Sequence, residues 1–350
     1  MSLNPNVPFG SARRRAVPLS QDSLVSTGLL DAGQPLPLVV RPEVPGVDLV
    51  AWAAGQKAWI DGHLQRHGAV LLRGFDVGDA GTFERLVAAT SGGDLLEYTY
   101  RSTPRTNVSG RIYTSTEYPP DQFIPWHNEN SYTREWPMRL YFYSKKVAAS
   151  GGQTPIVDSR RVYQRIRPAV RDRFAAAGVR YVRNFGTGLD LPWETVFQTS
   201  DRSEVERYCR EHDLEFAWTP DGGLRTSQVC QAVVAHPRTG EMVWFNQAHL
   251  FHVSSLPVEM RTTLLAQLGE AGLPRNTYFG DGAPIEPDVL DEIRGAYGAE
   301  QVVFPWEPED VLIVDNVLVA HGRTPYAGER TVLVGMADAF TGAGVAGPPG

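Results

Sequence analysis

The fold is decided by the sequence MRLYFY at residues 138–143 and by GGQTPIV, which follows it at residues 151–157. Aromatic and branched side chains are typical of β-strands, whereas paired glycines and a proline are typical of turns. We therefore predict short strands joined by tight turns over this part of the chain.

Strand-like sequence returns toward the C-terminus, at residues 310–314 and 331–336. The intervening residues 159–305 mix helical apolar spacing with a few strand-like runs. Strands at both ends with helices between them favour an antiparallel sandwich over the regular βαβ alternation of a parallel sheet. The predicted fold class is α+β and mainly β: a double-stranded β-helix, or jelly roll, as the core, with flanking helices and a helical insertion.

We predict a single domain over residues 46–340, with the helix-rich insertion at about residues 159–305. Residues 1–45 are rich in Pro, Ser, Gly and Arg without steady periodicity, so we expect an N-terminal extended arm on the surface. Residues 341–350 are expected to form a flexible C-terminal tail. Within the domain, Asp79 is a candidate N-cap for a helix that ends near a glycine pair.

The composition is that of a globular protein, with 350 residues, 42% hydrophobic and 21% charged. Lys and Arg number 33 against 40 Asp and Glu, and the net charge of −7 lacks the basic footprint of nucleic-acid binding. No apolar run approaches the roughly 20 residues of a membrane helix. The two cysteines, Cys209 and Cys230, form no CxxC pattern. We expect a cytoplasmic enzyme with neither a nucleic-acid nor a membrane partner, and the oligomeric state stays open.

The sharpest chemical feature is the sequence WHNE at residues 126–129. On a strand, side chains two residues apart lie on the same face, so His127 and Glu129 could bind one ion. His321 follows a strand-like run and is the candidate third ligand, because a jelly roll brings distant strands together at its mouth. Two histidines and one carboxylate leave open positions on iron(II) for a bidentate cosubstrate and dioxygen.

Several motifs occur in an order that is far more specific than any one of them. They are HNE (127–129), GGQTP (151–155), HPRTG (236–240), DN (315–316) and HGR (321–323) with Arg330. Over about residues 66–338 the chain resembles the taurine dioxygenase and clavaminate-synthase-like group of iron(II)/2-oxoglutarate oxygenases. The stretches STPRT (102–106), HNENSY (127–132) and WFNQ (244–247) are similar to hydroxylases of the syringomycin-pathway aspartyl-hydroxylase type.

The resemblance implies that His127, Glu129 and His321 bind Fe(II), and that the cosubstrates are 2-oxoglutarate and O2. It also implies that Arg330 and the Thr154 hydroxyl bind the C5 carboxylate of 2-oxoglutarate, with Arg323 as a further candidate for the cosubstrate. Arginine suits this role because its planar guanidinium makes two parallel bonds to a carboxylate. One departure is that the second arginine of taurine dioxygenase has no counterpart between Arg323 and Arg330.

The implied reaction converts 2-oxoglutarate to succinate and CO2 and hydroxylates an unactivated C–H bond. Related halogenases replace the carboxylate ligand with a small residue, so Glu129 favours hydroxylation. The expected substrate is an amino acid or an amino-acid-derived natural-product intermediate, free or bound to a peptide-synthetase carrier protein. Arg105, Asn130 and Asn246 are the candidate substrate-binding residues. The alternatives are a desaturase or cyclase of the same family, a zinc hydrolase, and a metal-containing jelly-roll binding protein.

Overall fold

The computed structural model describes residues 24–31, 33–93, 95–96, 106–115, 118–186 and 188–341. The candidate substrate residue Arg105 lies outside these ranges, as do most of the N-terminal arm and nearly all of the C-terminal tail.

The described elements include runs of consecutive strands as well as helices. In the first half they are β1 (Val25–Asp31), β2 (Gln34–Pro42), α1 (Leu49–Gly55), α2 (Lys57–His67), β3 (Ala69–Leu72), α3 (Ala80–Thr90), β4 (Asn107–Ser109), β5 (Ile112–Thr114), β6 (Ile124–His127), β7 (Glu135–Lys146), β8 (Ser150–Gly151), β9 (Ile156–Asp158), α4 (Ser159–Arg165) and α5 (Pro168–Ala177). In the second half they are β10 (Val179–Phe185), α6 (Trp193–Phe197), α7 (Arg202–Glu211), β11 (Glu215–Trp218), β12 (Leu224–Cys230), β13 (Val233–Ala235), β14 (Met242–Trp244), α8 (Ala248–Phe251), a short 3-10 helix (Val253–Ser255), α9 (Val258–Leu268), β15 (Arg275–Phe279), α10 (Pro287–Glu300), β16 (Gln301–Val302), β17 (Val311–Asp315), β18 (Val319–Arg323), β19 (Tyr326–Ala327) and β20 (Thr331–Thr341).

Two sheets form the centre of the molecule. The larger has eight strands in the order β1-β2-β3-β17-β7-β20-β5-β4, and the smaller has four in the order β16-β9-β18-β6. Their described pairings are antiparallel except that of β2 with β3, which is parallel. The smaller sheet places the strand that carries His321 between β9 and β6.

Strand β7 explains why the large sheet is covered on both faces. Successive side chains of a strand point to opposite faces. Leu140 and Phe142 therefore join a core cluster that also contains Ile156 and Val319 from the smaller sheet. Their neighbours on β7 face a separate cluster with the helices α1, α2 and α3. The short apolar run of the sequence is thus a central strand between two cores.

The predicted helix that follows Asp79 is present as α3, and the Asp79 side chain accepts a hydrogen bond from the Thr82 N–H (2.7 Å). The helical pattern that precedes β3 is divided in two, because α1 ends at Gly55 and α2 begins at Lys57. The chain leaves α2 at Gly68, whose left-handed φ of 76° favours glycine.

The N-terminal segment differs from the expected surface arm. Residues 25–42 form β1 and β2, and β2 buries the run Leu36–Val40 in the large sheet. The prolines at positions 35 and 37 indicated an irregular segment, but the branched side chains that follow them pair in parallel with β3. Burial of that apolar run outweighs the lost backbone donors of the two prolines.

Residues 159–305 contain the helices α4 to α10 together with a four-stranded sheet in the order β11-β12-β10-β15. They pack around a separate cluster that includes Phe174, Trp244 and Tyr297. Within the described part of the chain, no helix combines the length and the apolar character that crossing a bilayer requires.

Candidate functional site

Strand register brings the two candidate histidine ligands together. His127 is the last residue of β6 and His321 lies on β18, and the two residues are direct partners across the antiparallel pair. Opposed residues in such a pair have side chains on the same face of the sheet. The imidazole centroids are consequently 4.4 Å apart.

Glu129 lies beside the two histidines but is carried by a turn and not by a strand. The sequence predicted a continuous strand through 127–129, but β6 ends at His127 and Glu129 lies in the turn that follows. Its Oε2 is 4.0 Å from Nε2 of His321, and both side chains are buried. One ligand atom from each of His127, Glu129 and His321 falls within 4.8 Å of the others. The predicted juxtaposition is present, although strand alternation is not its cause.

The donor set of this cluster fits a divalent transition metal. The Nδ1 of His127 lies 2.8 Å from the carbonyl oxygen of Pro125, so it carries the proton and leaves Nε2 as the ligand atom. The ring of His321 packs against Phe142, with centroids 5.0 Å apart. Two imidazoles and one carboxylate match the facial set that non-haem iron(II) takes, with coordination positions left for other ligands.

Arg330 lies beside the glycine pair that precedes β9. Its Nε donates to the carbonyl oxygen of Gly152 (2.9 Å) and its guanidinium to Oγ of Ser115 (3.2 Å). Gly152 has a φ of +72°, and a Cβ there would lie 2.9 Å from Cδ of Arg330, so the arginine requires glycine at this position. No carboxylate among the described residues pairs with Arg330. Burial and, to a smaller extent, the charge of nearby Arg323 lower its pKa to about 10, with Tyr326 acting in the opposite direction.

Thr154 lies in the chain between Gly152, which contacts Arg330, and Pro155, which bonds the strand that carries His321. It is buried, and Gly322, the residue after His321, donates its N–H to the carbonyl of the neighbouring Pro155 (2.9 Å). The Thr154 Oγ1 accepts a hydrogen bond from the indole Nε1 of Trp306 (3.2 Å). An indole can only donate, so the hydroxyl hydrogen of Thr154 remains for another acceptor.

Arg323 serves the loop before β6. Its terminal nitrogens donate to the backbone carbonyls of Tyr118 (3.0 Å), Pro119 (2.6 Å) and Gln122 (3.1 Å). These contacts tie the loop that leads into His127 to the strand that carries His321. They occupy both terminal nitrogens of the guanidinium, so the contacts favour a loop-holding role over cosubstrate binding.

The two described candidates for substrate binding differ. Asn246 is buried and uses both ends of its amide on the backbone, donating to Ala232 O (2.7 Å) and accepting from Ala248 N (3.0 Å). These contacts are structural. Asn130 has a φ of 57°, so the chain turns there instead of continuing as a strand, and its buried Oδ1 has no hydrogen-bond partner among the described residues.

Sequence reasoning missed two residues that contact the candidate site. Asn316 bonds the backbone of Glu129 on both sides, and Trp306 donates to Thr154. The motif DN at 315–316 was a signal for the first, but its contact spans 187 residues of sequence. No local pattern marks the second.

Comparison with known proteins gives the family. The family model described as taurine catabolism dioxygenase TauD, TfdA family matches residues 32–337. The chain belongs to the TauD, TfdA family. This member is therefore an iron(II)- and 2-oxoglutarate-dependent dioxygenase that consumes O2, which decides against the zinc hydrolase and the binding protein.

Relatives of this TauD, TfdA-family dioxygenase include a biosynthetic protein. The chain is 43% identical to the dapdiamide synthesis protein DdaC of Enterobacter agglomerans over 279 residues, which cover 80% of this chain and 84% of DdaC. It is 33% identical to a clavaminate synthase-like protein of Arabidopsis thaliana over 322 residues, which cover 87% of this chain and 94% of that protein. The resemblance to the wider family is confirmed, and the closer likeness to the syringomycin-pathway type stays a prediction.

Solved structures confirm the fold at low sequence identity. The crystal structure of PvcB from Pseudomonas aeruginosa superposes with a TM-score of 0.56 at 16% identity, covering 93% of this chain and 96% of PvcB. Another structure of PvcB, described as an Fe, alpha-ketoglutarate dependent oxygenase from an isonitrile synthetic pathway, gives a TM-score of 0.55. The mixed helix and strand architecture with one large sheet is thus that of this fold family.

Proposed function

We propose that the enzyme hydroxylates an unactivated C–H bond of an amino acid or an amino-acid-derived natural-product intermediate, with His127, Glu129 and His321 as the iron ligands. The observation that carries the proposal is the convergence of these three donor atoms within 4.8 Å. When bound, the iron couples conversion of 2-oxoglutarate to succinate and CO2 with transfer of one oxygen atom of O2 to the substrate. The chain's own task is to hold the metal, orient the C–H bond and exclude water.

Arg330 and Thr154 are the proposed residues for the C5 carboxylate of 2-oxoglutarate. A partly buried guanidinium with no acidic partner is costly until an anion arrives, so a dicarboxylate cosubstrate would supply the missing charge. The free hydrogen of the Thr154 hydroxyl offers a second donor. Arg323 would then support the site through the loop it holds and through its positive charge.

Hydroxylation is favoured over halogenation because Glu129 occupies the ligand place with a carboxylate. Desaturation and ring formation begin with the same hydrogen abstraction and depend on how the substrate is held. Asn130 is the described candidate for a substrate contact, since its buried amide oxygen is available to a hydrogen-bond donor. Product analysis after turnover distinguishes these outcomes.

The relation to DdaC, a dapdiamide synthesis protein, supports a natural-product intermediate as substrate. Presentation on a carrier protein remains a proposal, and the arginine-rich helix α4 offers it little support. The three arginines of α4, and the arginine that follows the helix, each pair with an acidic side chain. The pairs are Arg160 with Asp158 and Glu241, Arg161 and Arg165 with Glu300, and Arg167 with Glu292.

The architecture behind this proposal is a double-stranded β-helix made of the two facing sheets, in one domain that comprises the predicted residues 46–340 together with β1 and β2. The shared core of Phe142, Ile156 and Val319 supports such a pair of sheets. A cytoplasmic site of action fits two buried cysteines that remain thiols, Cys209 and Cys230.

The test is an anaerobic titration of the apo-protein with iron(II) and 2-oxoglutarate, read as the visible charge-transfer band of the chelate. We expect the band in the wild type and its loss in His127→Ala and in His321→Ala. His67→Ala, at a partly exposed histidine of α2, is the matched control and should keep it. Absence of the band in folded wild-type protein, or its persistence in both site variants, rejects the metal assignment.

The substrate class is tested separately by succinate release. Amino acids, free and loaded on a carrier domain, are screened for those that accelerate conversion of 2-oxoglutarate. Stimulation by an amino acid or its carrier thioester supports the proposal. If neither form stimulates succinate release while other small carboxylic acids do, the substrate class is wrong although the metal site stands.

A further inference from the structure

The turn that carries Glu129 is held by a side chain instead of by strand pairing. The Glu129 N–H donates to Oδ1 of Asn316 (2.7 Å), and Nδ2 of Asn316 donates to the Glu129 carbonyl (2.9 Å). These two bonds are the pair that an antiparallel neighbour exchanges with a residue of a strand. One carboxamide therefore replaces the pairing that β6 lacks beyond His127.

Asn316 is itself fixed on every side. Its Nδ2 also donates to the carbonyl of Pro137 (2.8 Å), and its backbone N–H donates to the carbonyl of Met138 (2.9 Å). Its own carbonyl accepts from Nδ2 of Asn128 (2.7 Å). Asn128 and Asn316 are both fully buried. The Asn316 carboxamide uses its oxygen and both of its N–H groups, so it cannot rotate away from Glu129 without breaking three hydrogen bonds.

The neighbouring residue anchors the same connection to the rest of the fold. The Asp315 carboxylate accepts from the Val317 N–H (3.0 Å) and from Nε2 of His236 (3.0 Å). Nε2 carries the proton because Nδ1 of His236 accepts from the Thr239 N–H (3.1 Å). The link between β17 and β18 is thus fixed a few residues before His321.

We propose that Asn316 is the positioning residue that places Glu129 as the carboxylate ligand opposite His127 and His321. The inference rests on the proposed function, in which these three residues bind iron. Asparagine is required because the position needs one acceptor oxygen and an amino group with two N–H donors on a short planar side chain. An aspartate lacks the donor and would set a charged oxygen against the carbonyls of Glu129 and Pro137.

The experiment measures iron(II) affinity in Asn316→Asp and Asn316→Ala by anaerobic titration in excess 2-oxoglutarate. We expect the dissociation constant for iron to rise about 10- to 100-fold, the usual effect of losing an outer partner of a ligand. The affinity for 2-oxoglutarate at saturating iron should change less than about threefold, since Arg330 is untouched.

Asn276→Asp is the matched control. Asn276 is a buried asparagine of the insertion sheet that accepts from Val253 N (3.0 Å) and donates to Tyr278 Oη (3.1 Å). This variant should lose thermal stability without losing iron affinity. If the Asn316 variants keep wild-type iron affinity at an apo Tm like that of the control, the proposal is overturned.

Glu129→Ala separates this inference from the proposed function. Loss of iron in Glu129→Ala together with normal affinity in the Asn316 variants rejects only the role of Asn316. Normal affinity in Glu129→Ala rejects the metal assignment itself. Should the Asn316 variants fail to fold, amide hydrogen exchange on the wild-type apo-protein decides: the Glu129 amide is protected if Asn316 holds it, and rapid exchange contradicts the proposal.

Discussion

Arg139 is buried and Arg330 is partly buried, but only Arg139 has acidic partners among the described residues. Arg139 on β7 forms ion pairs with Asp61 (2.7 Å) and Asp338 (2.9 Å) and also donates to the Thr90 carbonyl (2.7 Å). Arg330 contacts only neutral oxygens and an aromatic ring among the described residues. Arg139 lies on β7, and Arg330 directly precedes β20, the neighbouring strand of the same sheet. The two arginines therefore differ in their partners and not in the sheet that positions them.

The pKa shifts follow this difference. Burial lowers the pKa of Arg139, but Tyr141 and the two carboxylates more than compensate and raise it overall. Burial, together with the charge of Arg323, lowers the pKa of Arg330 to about 10, because Tyr326 opposes this shift without the help of a carboxylate. A buried cation whose charge is neutralised serves the fold, whereas one without a counter-charge indicates a binding site. Replacement of Arg139 by methionine should therefore lower the free energy of unfolding, whereas replacement of Arg330 should raise the KM for 2-oxoglutarate.

The largest effect is expected for Arg139→Met on stability. It removes the nearest cation from the carboxylates of Asp61 and Asp338 in a mostly buried setting, which costs about 3–5 kcal/mol of unfolding free energy. Urea denaturation of the apo-protein measures the loss. The KM for 2-oxoglutarate of the folded fraction should stay at the wild-type value. A raised KM with unchanged stability would abolish the contrast with Arg330.

Arg330→Met should raise the KM for 2-oxoglutarate at least about 30-fold, equivalent to about 2 kcal/mol or more for a lost charged contact. Iron binding and the urea midpoint should be preserved, because the substitution removes a partly buried cation that has no acidic partner among the described residues. Steady-state kinetics with varied 2-oxoglutarate is the measurement. An unchanged KM would move the C5 contact to another residue, with Arg323 the next to test.

His249 extends the comparison of Arg139 and Arg330. Like Arg330, it has no acidic partner among the described residues, but a histidine can lose its proton in the accessible pH range. His249 is buried and its Nε2 donates to the Trp126 carbonyl (3.0 Å), and burial lowers its pKa to about 3. The unfolded chain, with a histidine pKa of about 6.5, then binds more protons than the native state below that pH. This part of the stability is complete above pH 6.5 and is lost as the pH falls toward 3, with about 2 kcal/mol gone at pH 5.

His249→Gln should remove that pH dependence while keeping a donor for Trp126. Urea denaturation at pH 7 and pH 5 should show the wild type losing about 2 kcal/mol more than the variant. His252, whose pKa burial lowers to about 4, is present in both proteins and cancels. Equal losses would mean that His249 is charged in the native protein.

The smallest effect is expected at Trp306, which acts on the cosubstrate through Thr154. Trp306→Phe removes the indole donor (3.2 Å) and keeps an aromatic ring, so one hydrogen bond of about 1 kcal/mol is lost. The KM for 2-oxoglutarate should rise about fivefold with kcat unchanged. Combined with Thr154→Val, the tryptophan change should add nothing further. Additive effects would show that Trp306 acts independently of Thr154.

Short-range patterns of the sequence were enough to predict much of the fold. The alternation on β7 and the cap at Asp79 each depend on residues within a few positions of one another. The pairing of Leu38 to Val40 with β3 depends on a distant strand, and the prolines before it concealed it. Burial in a partner sheet cannot be deduced from a local pattern.

The candidate site divides in the same way. Family motifs predicted His127, Glu129 and His321, and the fold brings their ligand atoms together. The substrate contact predicted for Asn246 stays a prediction, and its amide bonds two backbone groups that the aromatic run did not indicate. The contacts of Asn316 with Glu129 and of Trp306 with Thr154 bridge 187 and 152 residues of sequence, so tertiary structure alone brings them together.

Because His127 and His321 are direct partners across β6 and β18, metal uptake reports whether these two strands are correctly aligned. Strand β6 lies at the edge of its sheet, and among the described strands β18 is its one neighbour. A slip of one residue would turn the imidazole of His127 to the opposite face while leaving the strand content nearly unchanged. Under the proposed assignment, far-ultraviolet circular dichroism would not distinguish such misaligned molecules, but iron stoichiometry would count them.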